Sequence, residues 1–327
     1  MAVLCRPLVV VLAGTLAAGA CAPLGSQGIR TSSAAVRTVA SPGARGATPA
    51  AAVVPLPNAQ GSLKFCVLGD FGTGGTAQYA LAREMAALHG RFAFELVALV
   101  GDNLYGSEDP DDFRRKFEQP YAPLLDAGVM FYASLGNHDD REQRFYAPFN
   151  MNGQLYYSVK APEQDVRFFA LETTYLEPAQ VRWLESALEG SSEKWKIVFF
   201  HHPLYSSGRT HGSDDQLRAV LEPLFIKHGV SVVFSGHDHI YERVRPQHGI
   251  TYFVTGSGGK LRPGDVRRGQ PFSAVVVDQV NVFLAAEIHD DEMTFNAIDQ
   301  RGRVVDSGRV ARVQQPATMT GQGEAER

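Results

Sequence analysis

Leu96-Val97-Ala98-Leu99-Val100-Gly101-Asp102-Asn103-Leu104-Tyr105 is the stretch whose reading decides the fold. Its first five residues are all apolar, which reads as a strand covered on both faces, and the run stops abruptly at a glycine and a carboxylate. Four further apolar runs stop in the same way. Phe65-Cys66-Val67-Leu68 meets Gly69-Asp70-Phe71-Gly72, and Val129-Met130-Phe131-Tyr132 precedes Gly136-Asn137-His138-Asp139. Ile197-Val198-Phe199-Phe200 meets His201-His202-Pro203, and Val230-Ser231-Val232-Val233-Phe234 meets Gly236-His237-Asp238-His239. Chance would scatter such residues. Strands that repeatedly end in ligand-bearing loops describe a single site along one edge of a sheet.

Between these runs lie segments with helical spacing. They are residues 77–88 closed by Gly90, a stretch opening at Asp109-Pro110, residues 178–188 closed by Gly190, and residues 213–228 closed by Gly229. Ser213 with Gln216 has the spacing of a capping box, and the three glycines stand where a left-handed C-cap is wanted. Strand and helix alternate, so the fold class is α/β, with ligands expected at the carboxyl ends of the strands. The last third, residues 272–310, alternates as strands: Ala274-Val275-Val276-Val277, Val282-Phe283-Leu284-Ala285 and Met293-Thr294-Phe295-Asn296. An antiparallel sheet from this region would pack on the first and complete a β-sandwich flanked by helices.

The polar residues in the motifs are carboxylates, imidazoles, an amide and a phenol, with no thiol. That set suits iron, manganese or zinc. Their number fits two ions, which need a carboxylate bridge between them, and Asp102 is the candidate.

Taken in order, Gly-Asp-x-Gly, Gly-Asp-x-x-Tyr, Gly-Asn-His-Asp, Val-x-x-His and Gly-His-x-His resemble the purple acid phosphatase branch of the calcineurin-like metallophosphoesterases. Gly101 to Tyr105, His237 to Arg243 and Thr210-His211 look most like its small, tartrate-resistant-type members. The resemblance covers roughly residues 63–257. It implies a β-sandwich of two mixed sheets flanked by helices. It also implies one ion, Fe(III), held by Asp70, Asp102, Tyr105 and His239, and a second, divalent ion (Fe, Zn or Mn) held by Asp102, Asn137, His201 and His237. His138 and His211 fall where that family has histidines that contact the phosphate and the leaving group. His201 rather than His202 matches Val-x-x-His, and neighbours on a strand point to opposite faces. The implied reaction is hydrolysis of a small phosphate monoester; the same metals would also serve a phosphodiesterase or nucleotidase, and a metal-bearing binding protein without turnover is a third reading.

Charge counting explains the tyrosine. Fe³⁺ and a divalent ion bring five positive charges; Asp70, Asp102, a Tyr105 phenolate and a hydroxide offset four, leaving about one to attract a phosphate dianion. Coordination to zinc lowers the pKa of water from about 15.7 to about 7, which supplies a nucleophile near neutrality. An imidazolium, His211 or His138, would then protonate the departing alkoxide, with Asp139 orienting His138.

Other stretches are open to more than one reading. Gly72-Thr73-Gly74-Gly75-Thr76 lacks the lysine of a P-loop and reads as a turn that frees Asp70 to face the metals. Gly256-Ser257-Gly258-Gly259-Lys260 is either close to the site or a plain loop. Arg243 reads as an ion-pair partner, and His202 as a residue that either supports the ligands from behind or simply packs. His89, His228, His248 and His289 match no motif and read as surface or helix-end residues.

Composition bounds the rest. The chain has 327 residues, 44% of them hydrophobic, and a formal net charge of −4, which argues against nucleic acid as a partner. Residues 7–20, behind Arg6, form an apolar run of signal-peptide length that is too short to span a membrane. The run ends in Ala17-Ala18-Gly19-Ala20-Cys21, which resembles a bacterial lipobox with Cys21 lipidated, the alternative being simple cleavage near Ala20. The expected divisions are a leader over 1–21, a flexible Ala/Gly/Pro/Ser tether over 22–62, a catalytic domain over 63–312 and a polar tail over 313–327. Such a protein would be exported and touch the membrane only through its lipid. Cys66 is left as a small apolar filler.

Overall fold

The computed structural model describes residues 53–314, and in it the motif-bearing strands are divided between two sheets. The first sheet contains β1 (Leu63–Leu68), β2 (Leu96–Val100), β3 (Met130–Ser134), β11 (Val282–His289), β12 (Glu292–Asp299) and β13 (Val304–Ala311), in the order β13-β12-β11-β1-β2-β3. The second contains β4 (Tyr157–Lys160), β5 (Val166–Ala170), β6 (Trp195–Phe199), β7 (Val232–Ser235), β8 (Tyr241–Val244), β9 (Thr251–Thr255) and β10 (Ser273–Val277), in the order β10-β8-β9-β7-β6-β5-β4. Both sheets are mixed. β1, β2 and β3 run parallel, as do β5, β6, β7 and β9, and the outer strands are antiparallel.

Two expectations are corrected by this arrangement. The site does not lie along one sheet edge, because after β3 the chain crosses to a new layer through short 3₁₀ turns and the β4–β5 pair. The C-terminal strands do not form their own antiparallel sheet. β11 pairs antiparallel with β1, so β11, β12 and β13 extend the first sheet, while β10 joins β8 in the second.

Aromatic side chains fill the space between the layers. Phe65 of β1 meets Phe168 of β5 edge-on with ring centroids 5.3 Å apart, and Phe253 of β9 meets Phe295 of β12 at 5.0 Å. Such pairs add roughly 0.5–1.5 kcal/mol to the area they bury. Arg243 bridges the layers as read from the sequence: its Nε and Nη2 donate to the Asp306 carboxylate, which also accepts from the Tyr241 hydroxyl at 2.8 Å.

The helices α1 (Thr76–Phe92), α2 (Pro110–Phe113), α3 (Gln119–Asp126), α4 (Pro178–Glu189) and α5 (Asp215–His228) lie where the periodicity put them. A π-helical turn, Arg114–Glu118, joins α2 to α3. The Asp109 carboxylate caps α2, with Pro110 at its first position, and Gly229 closes α5 at φ 70°. Three helix ends differ from the expectation. Gly90 lies inside α1, which ends at left-handed Ala93; Gly190 ends α4 in a right-handed conformation; and Asp214, not Ser213, caps α5. Ser213 Oγ is engaged elsewhere, accepting from the Ser206 amide.

The leader, Cys21 and most of the tether lie outside the described residues. The described part of the tether, from residue 53, is tied down: the amides of Asn58 and Ala59 and the Ser62 hydroxyl all donate to the buried Glu287 carboxylate of β11. The folded unit therefore begins before residue 63. At the other end Val313 donates to Ser231 Oγ, so the first residue of the expected polar tail is held too. Among the described residues no helix is long and apolar enough to cross a membrane. Cys66 is buried and free.

Candidate metal centre

The carboxyl ends of β1, β2 and β3 meet those of β6 and β7 where the two sheets face each other. Asp70 donates its amide to Gly101 O, and His201 Nδ1 lies 3.0 Å from Val100 O, which ties the end of β6 to the end of β2. Asp70, Asp102 and His237 all adopt left-handed backbone conformations, with φ of 54°, 50° and 71°. Each costs on the order of 1 kcal/mol, and together they turn side chains from separate strands toward one point. Gly236 is required for that convergence, because a Cβ there would overlap the Asp70 carboxylate.

The convergent atoms form two linked groups. In one, the Tyr105 hydroxyl lies 3.1 Å from Asp70 Oδ1, 2.9 Å from Asp102 Oδ2 and 3.3 Å from His239 Nε2. In the other, His201 Nε2 lies 3.1 Å from Asn137 Oδ1, 3.1 Å from His237 Nδ1 and 3.4 Å from Asp102 Oδ1. Ligand-type atoms of Asp70, Asp102 and His201 all fall within 4.8 Å of one another, as do those of His201, His202 and His237.

A proton count tests whether a cation fits. The Val100 carbonyl can only accept, so His201 carries its proton on Nδ1 and turns a lone pair on Nε2 toward the Asn137 and Asp102 oxygens. Tyr105 has one hydroxyl proton for three acceptors. Neither Asp70 nor Asp102 forms an ion pair with a lysine or arginine among the described residues. Lone pairs thus outnumber protons in a buried pocket, a deficit that positive charge relieves.

The electrostatics agree. Burial and the Asp102 charge push the Asp70 carboxyl well up, and burial with both carboxylates pushes the Tyr105 phenol far up. Burial and neighbouring imidazoles hold His201 and His237 far below the usual histidine range. Burial, Arg262, and Lys260 hold His239 down to about 4. Every imidazole in the cluster with a shift is thereby kept neutral, as a ligand must be, and an ion would reverse the penalty on the two oxygen acids.

The remaining motif residues flank this centre. The His138 ring centroid is 4.9 Å from that of Tyr105, and the His211 ring is 4.0 Å from that of His237; both residues are exposed. Of the two readings of His202, the supporting one fits its position, with its ring 4.4 Å from that of His237. Thr173 Oγ1 accepts from the His202 amide and lies 3.0 Å from Nδ1, which leaves Nε2 as the free edge of the ring.

Asp139 does not orient His138. Its carboxylate accepts from the amides of Gly136, Asn103 and Leu104 and from the side chains of Asn103 and Gln143, clamping the loop after β3 to the loop after β2. Backbone donors within reach outcompeted an exposed imidazole. Asp238 is a further residue the motifs contained without revealing its work. It is buried and accepts from Ser206 Oγ and from the Gly212 amide at 3.1 Å, so it anchors the loop carrying His211. Glu242 does the same through both polar groups of Ser207. Nothing local in the sequence distinguishes these carboxylates from exposed ones.

The chain is similar to known proteins. The chain is 26% identical over 305 residues to human tartrate-resistant acid phosphatase type 5, covering 78% of this chain and 93% of that one. It is 29% identical over 245 residues to Arabidopsis thaliana purple acid phosphatase 17, covering 64% and 72% respectively. The solved purple acid phosphatase PPD1 from yellow lupin seeds superposes with a TM-score of 0.66 at 17% identity, over 82% of this chain and 58% of that one, which speaks to the fold. A family model described as calcineurin-like phosphoesterase matches residues 63–241. That span runs from β1 through the paired histidines His237 and His239, and the chain belongs to the calcineurin-like phosphoesterase family.

Proposed function

We propose that this protein hydrolyses phosphate monoesters at a dinuclear metal centre of the acid phosphatase type. The observation that carries the reading is the pair of lone-pair clusters joined through the two oxygens of Asp102. Asp70, Tyr105 and His239 with Asp102 Oδ2 would hold one ion, read as Fe(III). Asn137, His201 and His237 with Asp102 Oδ1 would hold the other, a divalent Fe, Zn or Mn. When bound, two such ions supply Lewis-acid charge to the phosphate oxygens and a nucleophile near neutral pH.

The chain's own groups do the rest. The Val100 carbonyl fixes the His201 tautomer, and the neutral imidazoles offer lone pairs rather than protons. His211 and His138, exposed at the rim, would hand a proton to the leaving oxygen. The buried Asp238 holds the His211 loop in register while that happens. Acid phosphatase names among the relatives support a monoester over a diester substrate. Export, with Cys21 as a lipid anchor, is proposed on the leader pattern alone.

Metal analysis combined with a substrate panel tests the reading. Purified protein is expected to hold two ions per chain and to cleave phenyl phosphate faster than bis(4-nitrophenyl) phosphate. A diester preferred over its monoester would transfer the case to a phosphodiesterase, and metal binding without turnover to a binding protein.

A further inference from the structure

The loop after β9, Gly256-Ser257-Gly258-Gly259-Lys260, is built against the centre. The Gly258 amide donates to Gly69 O, the Gly259 and Lys260 amides both donate to Asp70 O, and the Arg262 amide donates to His239 O. A Cβ at Gly259 would overlap the Phe71 carbonyl, so only glycine lets the loop lie this close. These bonds fix the backbone of Lys260 to the residues that carry Asp70 and His239. Its ammonium comes to rest 4.4 Å from the centroid of the Tyr105 ring.

Lys260 is half-buried and, like Lys64, Lys194 and Lys196, forms no ion pair among the described residues; of these four it alone lies against a motif residue of the centre. An arginine nearby, Arg262, is engaged by Asp265 at 3.4 Å. Lys260 therefore stands beside the Tyr105 half of the centre with no carboxylate partner among the described residues. The exposed His211 stands on the other half, against His237. The two ends of the site are lined differently: the Lys260 ammonium lies over Tyr105 at one, and the His211 ring lies against His237 at the other. Lys260 also lies beyond the residues that the family model matches.

We propose that Lys260 is a phosphate-binding residue, whose ammonium takes a non-bridging oxygen of the substrate's dianionic phosphate on the Tyr105 side of the centre. Lysine suits this task as a point charge with three donors on a flexible stem. A cation close to a dianion in a partly desolvated site contributes far more than one in bulk water. The inference rests on the phosphomonoesterase reading and adds to it the residue that recognises the phosphate charge.

The test compares metal-loaded wild type with Lys260→Met, Lys260→Gln and Lys260→Arg. Inorganic phosphate binding is measured by calorimetry, alongside metal content, melting temperature and the kinetics on phenyl phosphate. Lys260→Met and Lys260→Gln are expected to weaken phosphate binding about tenfold or more and to raise KM in parallel, with kcat within about threefold and metal content unchanged. Lys260→Arg should recover most of the affinity. Wild-type phosphate affinity in both neutral variants overturns the proposal, as does loss of metal from them, which would make Lys260 a support for Tyr105 instead. Wild type that takes up no metal and binds no phosphate fails the phosphomonoesterase reading itself, an outcome distinct from either.

Discussion

Asp102 turns its two carboxylate oxygens to different partners: Oδ2 accepts from the Tyr105 hydroxyl at 2.9 Å, while Oδ1 lies 3.4 Å from His201 Nε2. Since the Tyr105 and His201 groups share no other carboxylate, Asp102→Asn should cost both metal ions together. Activity should fall by about three orders of magnitude. Elemental analysis decides it, and one full equivalent of either ion retained would remove Asp102 from the bridging role.

His201 and His202 are adjacent but oriented by different partners, the Val100 carbonyl and the Thr173 hydroxyl. His201→Ala is expected to weaken the divalent site by about 100-fold or more, and His202→Ala by under tenfold. Titration of the apoprotein with Zn²⁺ measures both. The reverse order would mean that His202 is the ligand.

A phenolate bound to a ferric ion absorbs visible light by charge transfer, and no other proposed ligand does. Iron-loaded protein should be coloured, and Tyr105→Phe should bleach it without changing the far-UV circular dichroism. A colourless ferric wild type would falsify the assignment of iron to the Tyr105 side.

The leaving-group role of His211 makes a kinetic claim. A poor alkoxide needs a proton as it departs and an aryl oxide does not, so His211→Ala should lower kcat/KM by about 100-fold or more on an alkyl monoester and by under tenfold on an aryl one. Equal losses on both would leave His211 as a binding residue only.

Away from the site, Arg167 and Ser191 hold the Glu193 carboxyl down to about 2 from an ordinary 4.5. A depressed carboxyl contributes stability that is present above its unfolded value and is lost as pH falls toward the folded one. Glu193→Gln should therefore cost roughly 1–2 kcal/mol at pH 7, after allowance for the partly exposed Arg167. Urea midpoints should converge between wild type and variant as pH falls from about 4.5 to about 2. A difference that persists at pH 2 would assign the effect to packing.

The motif strands, the alternation with helices and the cluster residues are legible in the sequence because each signal is local. A run such as Leu96 to Val100 records its own burial, and the polar residue one or two places later records what the strand delivers. Helix ends were less legible. Ala93 takes a left-handed conformation although Gly90 stood ready, and the residue that follows it, Phe94, is buried in the core. Pairing between strands has no local signature at all. β11 reads like any apolar strand, yet its register against β1 joins the C-terminal third to the first sheet and places the site between two layers. The carboxylates of Asp139 and Asp238 acquire their partners, and the ammonium of Lys260 its place over the Tyr105 ring, only in that assembly. Composition and period determine which residues are buried and which polar groups end a strand; long-range hydrogen bonding and packing determine which of those groups meet.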